Sequence, residues 1–239
     1  MFAPDGETLT AAPPSIHLQA VAGQEAETNV AYVRGQLATP ARRAKPKPLM
    51  DAHACAQVSA ILSSLPDLEE ATSLVRIYFR YVSWLYAIVT EQQIGEDLGL
   101  LWRPRDEGTA YPTAQRMAVV VMVLALGALF SPNRMHTSTL PQHLYQASRQ
   151  LLECGLYLRH FTLPGVQTLH LAVAFLLNSR DSFMAQEGWV LLAMAGRLGQ
   201  AQGLHIDGSK WNLSAEELEV RRRIFHELQI YDRLQGLAQ

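Results

Sequence analysis

A chain of 239 residues, 49% hydrophobic and 18% charged, is long enough to bury a sizeable core and has the make-up of a globular protein. Its net charge of -2 excludes bulk attraction to nucleic acid or to an anionic membrane, so any DNA contact must be local or supplied elsewhere. Two cysteines, Cys55 and Cys154, exclude a disulfide framework and any multi-cysteine metal site, and they suit a reducing interior.

The N-terminus, Met1-Phe-Ala-Pro-Asp, has neither a basic start nor an apolar core, and reads as no secretory signal. Residues 1–48 are rich in Ala, Pro, Thr and Gln without a sustained period, which predicts a disordered tail or linker ahead of a helical domain over 49–239. Arg42, Arg43, Lys45 and Lys47, interrupted by Pro46 and Pro48, form its one charge cluster. A solvated linker is the plainer reading of these four; a nuclear-import signal or a phosphate-contacting arm is the sharper one.

From Asp51 the pattern turns helical. A short segment through Leu62 precedes a long helix predicted over Asp67 to Ile94, with Leu68, Leu74, Val75, Tyr78, Tyr81, Val82 and Leu85 at helical steps and Asp67 with Glu70 as its cap. Gly95 to Pro112 reads as a loop. Thr113 then starts a helix to Phe130 whose apolar run, Met117 to Phe130, falls short of the roughly 18 to 20 residues needed to cross a bilayer. It reads as a buried helix, and Gly127 inside it invites a neighbouring helix close, at about 1 kcal/mol of helix propensity relative to Ala. Further helices are predicted over Pro141 to Leu158, Gly165 to Asn178 and Phe183 to Gln202. Cys154 belongs to the apolar stripe of the first of these and reads as an inert buried thiol. No segment alternates with period two for long, so the expectation is an all-α, irregular array of about six to seven helices.

The best-marked stretch is the last, Gly196 to Arg233. Gly203 stands where a helix needs a left-handed stop, and Leu204 to Trp211 reads as a link. Ser214 and Glu217 sit at capping-box spacing, and Leu213 and Leu218 are placed for a hydrophobic staple. In the helix that follows, Val220, Ile224, Leu228, Tyr231 and Leu234 form one apolar stripe, while Glu217 with Arg221 and Glu219 with Arg223 are acid-before-base pairs one turn apart. Arg221, Arg222 and Arg223 invite a phosphate-binding reading, but three consecutive residues fan around a helix and cannot form one flat patch. The expectation is that they lock the link, with one turned inward against Asp207 or Asp232 because a lone buried charge is costly. His205 and Trp211 are expected to pack the link.

Reactive centres find little support. Gly203 to Lys210 has the glycine spacing of a phosphate loop, but its last two residues are in the wrong order and a helix precedes it. No dinucleotide fingerprint or nucleophile elbow occurs. The eight histidines are scattered; His53 with Cys55 and His205 with Asp207 are the nearest approaches to ligand spacing, neither with a second pair. His170, mid-helix among apolar residues, reads as a satisfied core histidine. The chain is therefore expected not to be an enzyme, with no catalytic, metal or cofactor-binding residue assigned.

Gly203, Leu204, His205, Asp207, Trp211, Leu213, Ser214, Glu217, Glu219, Arg221, Arg222, Arg223, Phe225, Asp232 and Arg233 resemble, in order, the regulatory domain or middle homology region of fungal zinc-cluster transcription factors. Ile77 to Ile88, Leu124 to Ser131 and Val166 to Leu171 are similar to earlier parts of the same domain, so the likeness covers about Leu74 to Arg233. The resemblance implies a nuclear, helical module that restrains or exposes activation surfaces and sometimes responds to a small-molecule effector, with architectural motif residues. Two differences from the family stand out. The six-cysteine zinc cluster that binds DNA there is missing, so zinc and DNA binding belong to a module this chain lacks. The chain also stops at Gln239, where the family continues into further helices, which suggests truncation or an apolar face that takes a protein partner or a second copy. A stand-alone metabolite-sensing or partner-titrating protein without DNA binding is the alternative.

Overall fold

Eight α-helices and one 3₁₀ turn follow one another among the described residues, which in this computed structural model are 52–103, 112–132, 138–179, 182–211 and 213–237. All of them fall in Pro46–Gln239, the second of two units into which the chain divides. The tail over 1–48, with Arg42, Arg43, Lys45 and Lys47, lies outside the described residues. The helices are α1 (Ala52–Ser63), α2 (Leu68–Tyr81), α3 (Glu91–Leu101), α4 (Ala114–Leu129), α5 (Leu140–Cys154), α6 (Leu163–Asn178), α7 (Ser182–Ala201) and α8 (Ala215–Leu237).

The count exceeds six to seven because the helix expected over Asp67 to Ile94 is two helices. Asp67 does cap α2, accepting from the Glu70 N–H at 2.8 Å, but α2 stops at Tyr81 and Thr90 caps a new start by accepting from the Gln93 N–H at 3.1 Å. The reason is packing. Val82, Tyr86, Ile88 and Val89 all bury in the connection, and the Tyr78 hydroxyl donates to the Tyr86 carbonyl at 2.8 Å, a bond that one continuous helix would put out of reach by carrying Tyr86 about 12 Å along the axis. Leu68, Tyr81 and Leu85, expected on the apolar stripe, are exposed. Part of the loop expected over Gly95 to Pro112 is accordingly the body of α3.

Helix α4 is the axle. Capped by Thr113, it is buried on every side from Met117 to Ala128, and α2, α3, α5 and α6 pack around it. Gly127 is where α2 comes closest: a Cβ there would run into the carbonyl group of Leu74. Helix α6, nearly as buried, passes the core on to α7, and α8 closes the array against α7 and α6. Helix α5 ends four residues earlier than expected. Leu156 adopts a left-handed φ of 49° after Gly155, and Leu158 is left 54% exposed.

Three polar residues inside the core, Gln115, Ser148 and Gln167, tie a loop or a neighbouring helix to it. The Gln115 amide donates to the Gly155 and His160 carbonyls, both at 2.8 Å, the Gln167 amide to the Ile88 carbonyl at 2.9 Å, and the Ser148 hydroxyl to the Ala118 carbonyl at 2.7 Å. Burying such groups unpaired would cost about 1–3 kcal/mol each.

Candidate functional site

The marked stretch at the C-terminus is a helical hairpin of α7 and α8. Helix α7 ends in a Schellman motif: Gly203 takes φ 71°, its N–H reaches the Gln200 carbonyl at 2.9 Å, and the Leu204 N–H reaches the Gly199 carbonyl at 3.0 Å. Asp207 opens the short 3₁₀ turn Gly208–Lys210, accepting from the Ser209 N–H and hydroxyl. Those bonds, and Arg222 nearby, hold its carboxyl below its ordinary value. At Gly208 a Cβ would stand 3.0 Å from Leu218, 3.4 Å from Trp211 and 3.5 Å from Leu213, so the two staple leucines and the tryptophan converge on one bare glycine. The capping box then closes in both directions, Ser214 N–H to Glu217 Oε2 at 2.9 Å and Glu217 N–H to Ser214 Oγ at 3.1 Å.

The three arginines take three directions. Arg221 turns inward, but its partner is neither Asp207 nor Asp232 as the charge argument anticipated. Its Nη2 donates to the Gln202 carbonyl at 2.6 Å, and its guanidinium lies 5.0 Å over the Trp211 ring. A helix that stops leaves carbonyls without partners, and the Gln202 carbonyl next to the glycine stop is the acceptor closest to hand. Burial lowers the Arg221 guanidinium from its ordinary value, with the Glu217 charge opposing. Arg222 pairs with Asp207 at 3.4 Å in the open, and Arg223 with Glu219 at 3.6 Å along the helix.

Of the remaining motif residues, His205 is exposed and does not pack the link, since the buried Leu204 takes that role. Asp232 and Arg233 are exposed; Asp232 edges a groove of about 200 Å³ between α7 and α8 that Ala193, Gly196, Arg197, Phe225 and Gln229 also line. On the α8 stripe Ile224, Leu228 and Tyr231 are buried, but Leu234 is 52% exposed and falls beyond the core.

Sequence reasoning missed one cluster. His170 is fully buried on α6, yet neither ring nitrogen has a hydrogen-bond partner, so it is not the satisfied histidine expected of a core position. Glu227 of α8 points at it, Oε2 to Nε2 at 3.7 Å, and Tyr231 and Tyr86 set their rings edge-on to the imidazole with centroids 4.9 and 6.2 Å away. Glu227 lies three positions past Ile224 and four before Tyr231, on the inward face. That spacing was the available signal, and pairing it with His170 needed the fold.

Among the described residues no three His, Cys, Asp or Glu side chains stand close enough together to hold a metal ion, and no helix is long and apolar enough to cross a membrane. A profile described as the fungal-specific transcription factor domain matches residues 75–234, most of the chain. The chain belongs to that family. Over 187 residues this fungal-specific transcription factor domain is 27% identical to an uncharacterized transcriptional regulatory protein of Schizosaccharomyces pombe, a match covering 75% of this chain and 23% of that protein. It is 26% identical over 157 residues to the transcription factor opdR of Penicillium oxalicum, covering 62% of this chain and 18% of the relative. It is also 26% identical over 162 residues to the C6 finger domain transcription factor hasF of Aspergillus fumigatus, covering 65% and 21%. The matches thus span about a fifth of the length of these relatives. No solved structure matches the chain. A zinc cluster built on six cysteines does not fit these residues: there are two, Cys55 exposed on α1 and Cys154 buried on α5.

Proposed function

We propose that this chain is the regulatory part of a transcription factor, a non-catalytic helical scaffold that acts in the nucleus and reaches DNA only through a module it does not itself hold. The observation that carries the reading is the fate of the three arginines. One is spent on a helix-end carbonyl and a tryptophan face, the other two on carboxylates, so they do not line a common basic trough for phosphate. Their work is to fix the angle between α7 and α8. Specific DNA recognition needs base contacts beyond phosphate attraction. The purified chain is therefore expected to give no sequence-selective shift of DNA, and a selective shift that survives physiological salt would refute the reading.

A second reading has its own support. Trp84 is 75% exposed beside the exposed Leu85, whose carbonyl accepts from the Tyr231 hydroxyl at 2.9 Å, and α8 exposes Ile230 and Leu234. Large apolar side chains left exposed in this way favour a protein that works by packing against a partner or a second copy, and a small-molecule effector would then act on that assembly. Light scattering separates the two readings: a dimer or hetero-complex supports the second, and a clean monomer counts against it.

A further inference from the structure

Helices α7 and α8 do not stay in contact along their whole crossing. At Gly199 they touch, since a Cβ there would stand 3.1 Å from Leu228. Gly196 lies one turn earlier on the same face of α7, yet a Cβ there would meet nothing within 4 Å, and the space left open is the groove of about 200 Å³. Leu192 and Leu228, both buried, and the partly buried Phe225 give this groove an apolar floor.

Its rim carries opposite charges that do not meet. Arg197 stands on the α7 side, where its Nη1 donates to Gln200 Oε1 at 3.0 Å, a bond within one helix that orients the guanidinium and leaves its charge uncompensated. Asp232 stands on the α8 side, and among the described residues neither it nor Arg197 belongs to an ion pair. A ligand that answers both walls brings a carboxylate to Arg197, an ammonium to Asp232 and an apolar group to the floor between them. The volume falls below the roughly 300–1,000 Å³ of sites for drug-sized molecules, so that ligand is small.

We propose that the α7–α8 groove binds a free aliphatic α-amino acid of about the size of leucine, its carboxylate on Arg197, its ammonium on Asp232 and its side chain against Leu192, Phe225 and Leu228. Burial of the side chain supplies most of the affinity, because ion pairs at an open rim are screened and contribute little. The two charges supply the choice of ligand. Bridging α7 to α8, the amino acid holds the hairpin together where the Arg221 contact does not reach. Binding is read on the chain alone, so the proposal goes beyond the regulatory reading and stands or falls apart from it.

The full ¹⁵N-labelled chain is titrated at neutral pH with L-leucine up to about 20 mM and followed by ¹H–¹⁵N NMR; a ligand this small on an open groove is expected to bind with a Kd of about 1 mM. The largest shifts are expected at Gly196, Arg197 and the part of α8 from Phe225 to Asp232. The comparison ligands are 4-methylpentanoate, which lacks the ammonium, and 3-methylbutylamine, which lacks the carboxylate; each is expected to bind about three- to fivefold more weakly, the worth of one rim ion pair. Asp232→Asn removes the advantage of L-leucine over 4-methylpentanoate, and Gly196→Leu, which fills the groove, abolishes the binding of all three. The three ligands on wild type decide the matter even if Gly196→Leu does not fold. No shift over the titration, shifts confined to residues outside α7 and α8, or an equal response to the three compounds overturns the proposal.

Discussion

Replacing Arg221 by Ala tests whether the arginine triplet is a lock. Two interactions vanish together: a charge-assisted hydrogen bond at 2.6 Å to the Gln202 carbonyl, of a kind that contributes about 1.5–3 kcal/mol, and a guanidinium 5.0 Å over the Trp211 ring, which adds about 0.5–1 kcal/mol. Because Arg221 is half-buried, the orphaned carbonyl is not fully rescued by water, and the loss should be near 3 kcal/mol. In a domain of this size that corresponds to a fall of roughly 6–12 °C in Tm. Arg222→Ala breaks an open pair 3.4 Å long and should cost less than about 1 kcal/mol. Arg223→Ala removes an exposed pair within one helix and should cost about as little. Urea unfolding monitored by far-UV circular dichroism ranks the three variants. Equal losses across the triplet, or an Arg221→Ala loss under about 1 kcal/mol, would show that the reasoning from direction and burial is wrong.

Gly127→Ala sets helix propensity, which favours Ala by about 1 kcal/mol, against a Cβ aimed at the Leu74 carbonyl. Overpacking against backbone should win by about 1–2 kcal/mol, whereas Gly196→Ala, which meets nothing within 4 Å, should stabilise; thermal melts showing the two shift in the same direction would contradict this. Asp97→Asn probes a fully buried carboxyl whose value is raised by burial, with the Arg116 bond opposing. A raised carboxyl contributes stability that is present at acid pH and lost as pH rises through its folded value. The variant should therefore gain on wild type between about pH 4 and 7 in chemical denaturation, and a relative loss over that interval would reverse the argument.

Helix ends were more legible in the sequence than helix continuity. Asp67, Thr113, Ser214 with Glu217, and Gly203 all act as their residue types and spacings indicate, because a cap is a local event within four residues. The break between Tyr81 and Glu91 was not legible: apolar residues at helical steps continue through it, and what decides against one helix is the fold-back that brings the Tyr86 carbonyl to the Tyr78 hydroxyl. The same division runs through the hairpin. That one arginine must turn in followed from charge and geometry, but its partner is the carbonyl of Gln202, nineteen residues earlier, made available by the glycine stop that follows it. His170 with Glu227 lies at the far end of this scale, since the two share no local pattern at all.

The exposed Trp84 makes the surface it stands on observable. Its indole N–H is fixed on the Tyr81 carbonyl at 2.9 Å while most of the ring faces solvent, whereas Trp102 and Trp211 are partly covered. An orientationally fixed but wet indole emits at long wavelength and is open to collisional quenchers. The molecule thus carries its own fluorescent reporter beside the exposed Leu85, and anything that settles there announces itself by a blue shift without any label being attached.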